Sequence, residues 1–397
     1  MRTRRSRARL ALLAALLAGG VALVPPTGAY ADGIRAQQWA LDAMHTQEAW
    51  RTTQGRGVTV AVLDTGVEDD HPDLAGNVLP GKDMVGFGAS RGDRSWARHG
   101  TAMAGIIAGH GHGPGDADGV VGIAPQARVL PVRVILEDSD PARSRARKNR
   151  GNALADGIRW AADHGADVIN LSLGDDSSSA HPEPAEDEAV QYALKKGVVV
   201  VASAGNDGEE GDHISYPAAY PGVIVATAVD RYGTRASFST RRWYATVSAP
   251  GDDVVIADPD HKYYEGWGTS AAAAFVSGAV ALVESAHPGL TPAQIKTILE
   301  DTARNAPVGG HDDSRGFGFV DPAAAIEAAG KIAPEGLKSA AYGGSYFGSG
   351  PDVPKPADDS TGWAGPLAGS VGGVLLVVAF VLWRGRRAGR AAPPSAF

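Results

Sequence analysis

The chain has 397 residues, of which 44% are apolar and 21% charged, with a formal net charge of −8. That make-up is globular, and the length suits one large α/β domain with short attachments. The acidic balance without basic-aromatic interleaving argues against nucleic acid as a partner, and the absence of cysteine excludes disulfides, thiolate nucleophiles and cysteine-held metals.

The chain opens with Met1-Arg-Thr-Arg-Arg-Ser-Arg-Ala-Arg9, an apolar run over residues 10–24, Pro25-Pro26 and the A-x-A site Ala29-Tyr30-Ala31. Residues 1–31 therefore read as a signal peptide removed after export. Residues 34–53 predict a short helix, with Ile34, Trp39, Leu41, Met44 and Trp50 as its burial points. Val58-Thr-Val-Ala-Val-Leu63 is a β-branched apolar run that predicts a buried parallel strand. It ends at Asp64. An acid there either caps its own turn or serves a ligand, because α/β sheets hold their chemistry at the carboxyl ends of strands.

Residues 68–98 are polar and loop-rich. His71 lies among Asp69, Asp70 and Asp73, and these are expected to be solvated turn residues, with no metal bound. At His99-Gly-Thr-Ala-Met-Ala-Gly-Ile-Ile-Ala-Gly109 a helix of small and apolar residues begins. A histidine at a helix N-terminus is packed there or acts as a base. The positive end of the dipole is expected to lower its pKa and keep it neutral. His110 and His112, in the glycine-rich stretch beyond, are expected to face solvent.

Strand follows at residues 120–124 and 127–136, then a charged loop over residues 137–152 containing Arg143-Ser-Arg-Ala-Arg-Lys-Asn-Arg150. Such a run is either a solvated, protease-sensitive loop or a site for an acidic partner. Helix at 153–164, strand at 168–174, helix at 189–196 and strands at 198–202 and 223–229 continue an alternation that predicts a parallel sheet with helices on both faces. Asn206, just past a strand end, is a turn residue or a donor to a developing oxyanion. Short outer strands are expected at residues 245–250 and 253–256.

Gly266-Trp-Gly-Thr-Ser-Ala-Ala-Ala-Ala-Phe-Val-Ser-Gly then turns a loop into a helix, with Ser270 at or beside the first turn. Serine there is a favoured cap. It also suits a nucleophile, since the free N–H groups and partial charge of a helix N-terminus stabilise an adjacent oxyanion. A last helix is expected at residues 292–302. Residues 331–363, rich in Gly, Ser and Pro, form a stalk. Residues 364–383 carry no charge, and at about 1.5 Å per residue they reach roughly 30 Å, enough to span a membrane once. The arginine-rich tail at 384–397 is then cytoplasmic by the positive-inside rule.

Asp64, His99, Asn206 and Ser270 together supply what a serine nucleophile needs: a base, an acid to orient the base, and an oxyanion donor. Their local motifs are Ala61-Val-Leu-Asp-Thr-Gly66, His99-Gly-Thr-Ala-Met-Ala-Gly105, Ala202-Ser-Ala-Gly-Asn206 and Gly268-Thr-Ser-Ala271. On these the chain resembles the subtilisin-like serine proteases over about residues 39–328. The resemblance implies a subtilisin-like α/β fold over residues 32–330 and endopeptidase activity without a cofactor. Asp64, His99 and Ser270 would be the triad, with Asn206 in the oxyanion hole. Leu171, Ser172, Leu173 and Gly174, with Ser203, Ala204 and Gly205, would line the P1 pocket, where a peptide substrate pairs as an added strand.

The layout of signal, short lead, protease, stalk, single span and basic tail is similar to that of the mycosins. That similarity implies a cell-membrane location, an extracytoplasmic protease and type VII secretion components as partners, or else a scaffold in such a complex with low or gated activity. Two departures stand out. Mycosins commonly carry disulfides, and Ala274 stands where the serine helix usually has proline. A lipase or esterase is disfavoured, as Ser270 lacks the G-x-S-x-G elbow.

Overall fold

The computed structural model describes residues 33–336. The expected signal peptide, most of the expected stalk, and the expected span and tail lie outside the described residues. After a 3-10 turn at Arg35–Gln37 come α1 (Trp39–Ala43) and α2 (Thr46–Ala49). Next are β1 (Thr59–Asp64), β2 (Lys82–Asp83), α3 (Arg98–Ala108) and an antiparallel pair, β3 (His110–His112) with β4 (Asp118–Val121). Then follow β5 (Arg128–Arg133), α4 (Arg143–Asn149), α5 (Ala153–Asp163), β6 (Val168–Leu171), α6 (Pro184–Lys195) and β7 (Val199–Ser203). The chain continues with β8 (Ile224–Val229), β9 (Val247–Pro250), the hairpin β10 (Val254–Ala257) and β11 (Tyr263–Gly266), and α7 (Thr269–Ala286). The helices α8 (Pro292–Thr302) and α9 (Pro322–Ala329) complete it.

The sheet has seven strands in the order β2-β5-β1-β6-β7-β8-β9, all parallel, as the strand–helix alternation predicts. Apart from the exposed edge strand β2, its strands are largely buried on both faces because both carry apolar side chains. Val60 and Val62 join one core with α3, α7, α8 and α9, while Ala61 and Leu63 join the other with α5 and α6. Among the described helices α7 alone is long and apolar enough to cross a membrane, and that composition serves the core, where its first four alanines are buried. Tighter signals mark other ends: Thr291 and Gln294 form a capping box ahead of α8. The helix expected at residues 189–196 starts earlier, at Pro184, a residue suited to the first helical position, with Glu186 and Asp187 in its first turn.

Two expectations need correction. Residues 34–53 are not one helix: Gln38 leaves helical geometry and His45 is left-handed at φ 53°. The reason is that side chains pull outward on both sides of the break. Trp39 Nε1 donates to the Asp253 carbonyl and Trp50 Nε1 to the Ile123 carbonyl, each at 2.8 Å. The charged stretch 137–152 is not all loop either, because Ala146 packs on Val85 and Leu136 and folds α4 against them.

Candidate active site

β1 delivers Asp64 to the carboxyl edge of the sheet, one strand from its middle, where the side chain is buried. Its Oδ1 accepts the Thr65 N–H at 2.7 Å, and His99 Nδ1 lies 2.9 Å from both carboxylate oxygens. His99 is the second residue of α3, and its own N–H donates to Glu137 Oε1 at 2.8 Å. The next residue must be small. A Cβ on Gly100 would come within 2.0 Å of the Gly66 carbonyl oxygen. Gly100→Ala is therefore expected to cost about 3 kcal/mol or more as overpacking. Calorimetry should find a lower Tm, and an unchanged Tm would contradict the close approach.

The local argument for a neutral His99 is overturned. Burial pulls the imidazole down, but the Asp64 carboxylate overrides it by charge and hydrogen bond, with Glu137 and Asp138 adding to it. The result is pushed up to about 9. The ring keeps 37% of its side-chain surface exposed, so it opens onto solvent while its other edge holds the carboxylate.

Ser270 is not the cap of α7. Gly268, at φ 139°, holds the position before the helix, and Ser270 is the second helical residue. Its hydroxyl donates to the Ser172 carbonyl at 3.1 Å rather than to the His99 ring, and Ser172 Oγ donates back to the Ser270 carbonyl at 2.8 Å. Below them Asn170 Nδ2 donates to Ser172 Oγ at 2.9 Å, and Asn170 Oδ1 accepts from Ser277 Oγ at 2.9 Å. This buried network fixes the start of α7. The sequence offers one sign of it, a lone asparagine inside an otherwise apolar strand.

Asn206 meets Ser270 through Thr269. Its Oδ1 accepts both the Thr269 N–H and the Thr269 hydroxyl, each at 2.9 Å, while its own N–H donates to Asp176 at 2.7 Å. The side-chain amide is thus oriented through its oxygen, which frees its NH2 from the bonds to Thr269. Of the segments expected to line a P1 pocket, Leu171, Ser172, Ser203, Ala204 and Gly205 are buried, Leu173 is half-buried and Gly174 exposed. The pairing of Leu171 with Ala202 sets the two segments side by side. The sequence assigns no role to Thr269, although it lies in a quoted motif, nor to Asn170 or Asp176, because each also bonds a partner far along the chain.

His71 and Asp73, expected in solvent, are fully buried. Asp73 gathers distant donors: His112 Nδ1 at 2.6 Å, the Val120 N–H at 2.9 Å and the Tyr263 hydroxyl at 2.8 Å. Burial, the largest influence on His71, lowers its pKa. His110 and His112 are likewise half-buried, with His110 bonded to the Gly111 and Ala75 carbonyls.

An acid at a strand end paired to a histidine at a helix start, with a serine and an asparagine joined at a second helix start, is the geometry to set against known proteins. The Subtilase family profile matches residues 55–319. The chain belongs to the subtilase family of serine proteases. Fervidolysin of Fervidobacterium pennivorans is 37% identical to this subtilase over 328 residues, which cover 75% of the chain but only 45% of fervidolysin. The chain thus spans less than half of that curated relative. MycP1 from Mycobacterium smegmatis superposes with a TM-score of 0.62 at 32% identity, covering 76% of this chain and 86% of that one. MycP3, a protease from the type VII (ESX-3) secretion system, does so at 0.59 and 31%, covering 72% and 87%. The likeness to mycosins read from the layout thus has structural neighbours behind it.

Proposed function

We propose that this subtilase is a membrane-anchored, extracytoplasmic serine endopeptidase in which Asp64, His99 and Ser270 form the catalytic triad. The observation that carries the reading is His99 Nδ1 at 2.9 Å from both Asp64 oxygens, which leaves the other ring nitrogen for a proton acceptor's role. In the reaction the Ser270 hydroxyl leaves Ser172, gives its proton to His99 and attacks the scissile carbonyl. His99 then protonates the leaving amine, while Asp64 holds the tautomer and the imidazolium. Asn206 Nδ2 and the Ser270 N–H receive the oxyanion. The P1 side chain would sit between residues 171–174 and 203–205.

Asn206→Ala is expected to lower kcat by about 10²–10³-fold, roughly 3–4 kcal/mol, the range seen when such a donor is removed from subtilisin. KM should change little. Steady-state kinetics on a peptide substrate checks this, and a loss confined to KM would remove Asn206 from the oxyanion hole.

The domain reading supports the location: residues 1–31 as signal, 32–330 as peptidase, 331–363 as stalk, 364–383 as span and 384–397 as cytoplasmic tail. Similarity to MycP3, from a type VII secretion system, favours components of such a system as partners. The scaffold alternative draws on one feature, the engagement of the Ser270 hydroxyl by Ser172, which is a closed state of the nucleophile. The deciding experiment treats the full-length protein in detergent with a fluorophosphonate probe, beside Ser270→Ala, and maps the labelled peptide. Label on Ser270 alone upholds the peptidase. No label on folded protein transfers the case to the scaffold.

A further inference from the structure

Between residues 141 and 155 the chain carries Arg143, Arg145, Arg147, Lys148 and Arg150 and no acid, in a protein of net charge −8. α4 gathers all of these but Arg150, which follows its last residue, and Ala146 is its one buried residue. Some of the charges hold the helix down. Arg143 pairs with Asp138 at 2.8 Å and donates to the Leu136 carbonyl. Arg145 stacks over Phe87 at 4.4 Å, and Arg150 Nε donates to the Val85 carbonyl at 3.1 Å. Arg147 and Lys148 are exposed, and their side chains make no hydrogen bond or ion pair among the described residues.

The same loop serves the catalytic pair. β5 lies beside β1 with Arg133 opposite Asp64, and the chain leaving it donates the Val134 N–H to the Asp64 carbonyl at 2.9 Å. Glu137 then accepts the His99 N–H, and α4 follows directly. Arg143 is near enough to Asp64 for their charges to interact. A basic helix is thus mounted on the rim of the site rather than on a remote surface.

We propose that α4, through Arg147 and Lys148 with Arg145 beside them, binds an acidic stretch of the substrate polypeptide flanking the scissile bond. The inference rests on the triad reading above. Guanidinium and ammonium groups on an exposed edge attract carboxylates through screened charge and forked hydrogen bonds, and they steer encounter as well as hold the bound chain. Because α4 follows directly on the loop whose Glu137 holds the His99 N–H, a polypeptide engaged at His99 is favoured over a lipid surface as its occupant.

The test uses full-length protein in detergent and three fluorogenic peptides with one cleavable core, flanked by glutamates, glutamines or lysines. At low salt the glutamate peptide is expected to exceed the glutamine peptide in kcat/KM by about tenfold, and the ratio should shrink toward one at roughly 0.5 M salt. The double variant Arg147→Glu/Lys148→Glu should prefer the lysine peptide, and Arg147→Gln/Lys148→Gln should bring the glutamate ratio near one. Fluorescence anisotropy of the same peptides on Ser270→Ala protein reads the helix without catalysis. Tighter binding of the glutamate peptide there, lost in the double variants, supports the proposal even if no peptide is cleaved. Cleavage of the glutamine peptide that disappears in Ser270→Ala supports the triad whatever α4 does. Equal ratios in parent and variants overturn the proposal. Loss of binding to anionic vesicles in the variants, with peptide ratios unmoved, overturns it too and assigns α4 to the membrane.

Discussion

Ser270→Ala is expected to lower kcat about 10⁶-fold, the loss that follows removal of the nucleophile in subtilisin, while KM barely moves. The substitution deletes one hydrogen bond, from Ser270 Oγ to the Ser172 carbonyl. The reciprocal bond from Ser172 Oγ uses the Ser270 backbone carbonyl and survives, so the start of α7 keeps its anchor. Stability should therefore fall by no more than about 1 kcal/mol. Single-turnover kinetics on a peptide ester, read beside thermal unfolding of the same preparation, separates the two effects. A loss under a hundredfold in folded protein would mean that another group attacks the carbonyl.

Asp64→Asn is expected to cost about 10⁴-fold at pH values above the parent's His99 limb, because asparagine cannot hold the His99 tautomer that leaves the far nitrogen free. It should also move the pH profile. The imidazolium cannot accept a proton, so the parent's kcat/KM should fall about tenfold per pH unit below a limb governed by His99. Burial lowers that limb and the Asp64 carboxylate raises it, with a net position of about 9. Once the carboxylate becomes a neutral amide, burial is opposed mainly by Glu137 and Asp138, and the limb should drop markedly. Profiles of kcat/KM for both proteins in one buffer series check this. The same limb in each would show that Asp64 does not set the charge of His99.

Asp64, His99, Asn206 and Ser270 were legible before the fold because each stands where one pattern gives way to another. Buried apolar strand stops at Asp64, small-residue helix begins at His99 and Ser270, and a strand has just ended at Asn206. The parallel sheet was legible for the same reason. What escaped reading depends on partners far along the chain. Asp73 bonds the Tyr263 hydroxyl across 190 residues, so local polarity wrongly put it and His71 in water. The raised pKa of His99 is not legible in sequence, because the helix dipole can be read there whereas the distance to Asp64 cannot. α4 looked like loop because its run of arginines is unremarkable until Val85 and Leu136 give Ala146 somewhere to pack.

His45 and Arg304 each meet the Asp321 carboxylate at 2.9 Å, and α2 packs on α9. Asp321 also caps α9 through the Ala324 N–H at 3.0 Å. α2, near the start of the described residues, and α9, the last helix among them, are thus clasped to each other. Segments held by few contacts are the usual starting points for fraying and nicking. Here fraying of either segment must also break the clasp with the other, so the cost of the first step out of the native state rises. For the proposed peptidase, lifetime depends on how rarely a cleavable strand is released. The clasp makes durability a matter of unfolding rate, which a shift in Tm alone would understate.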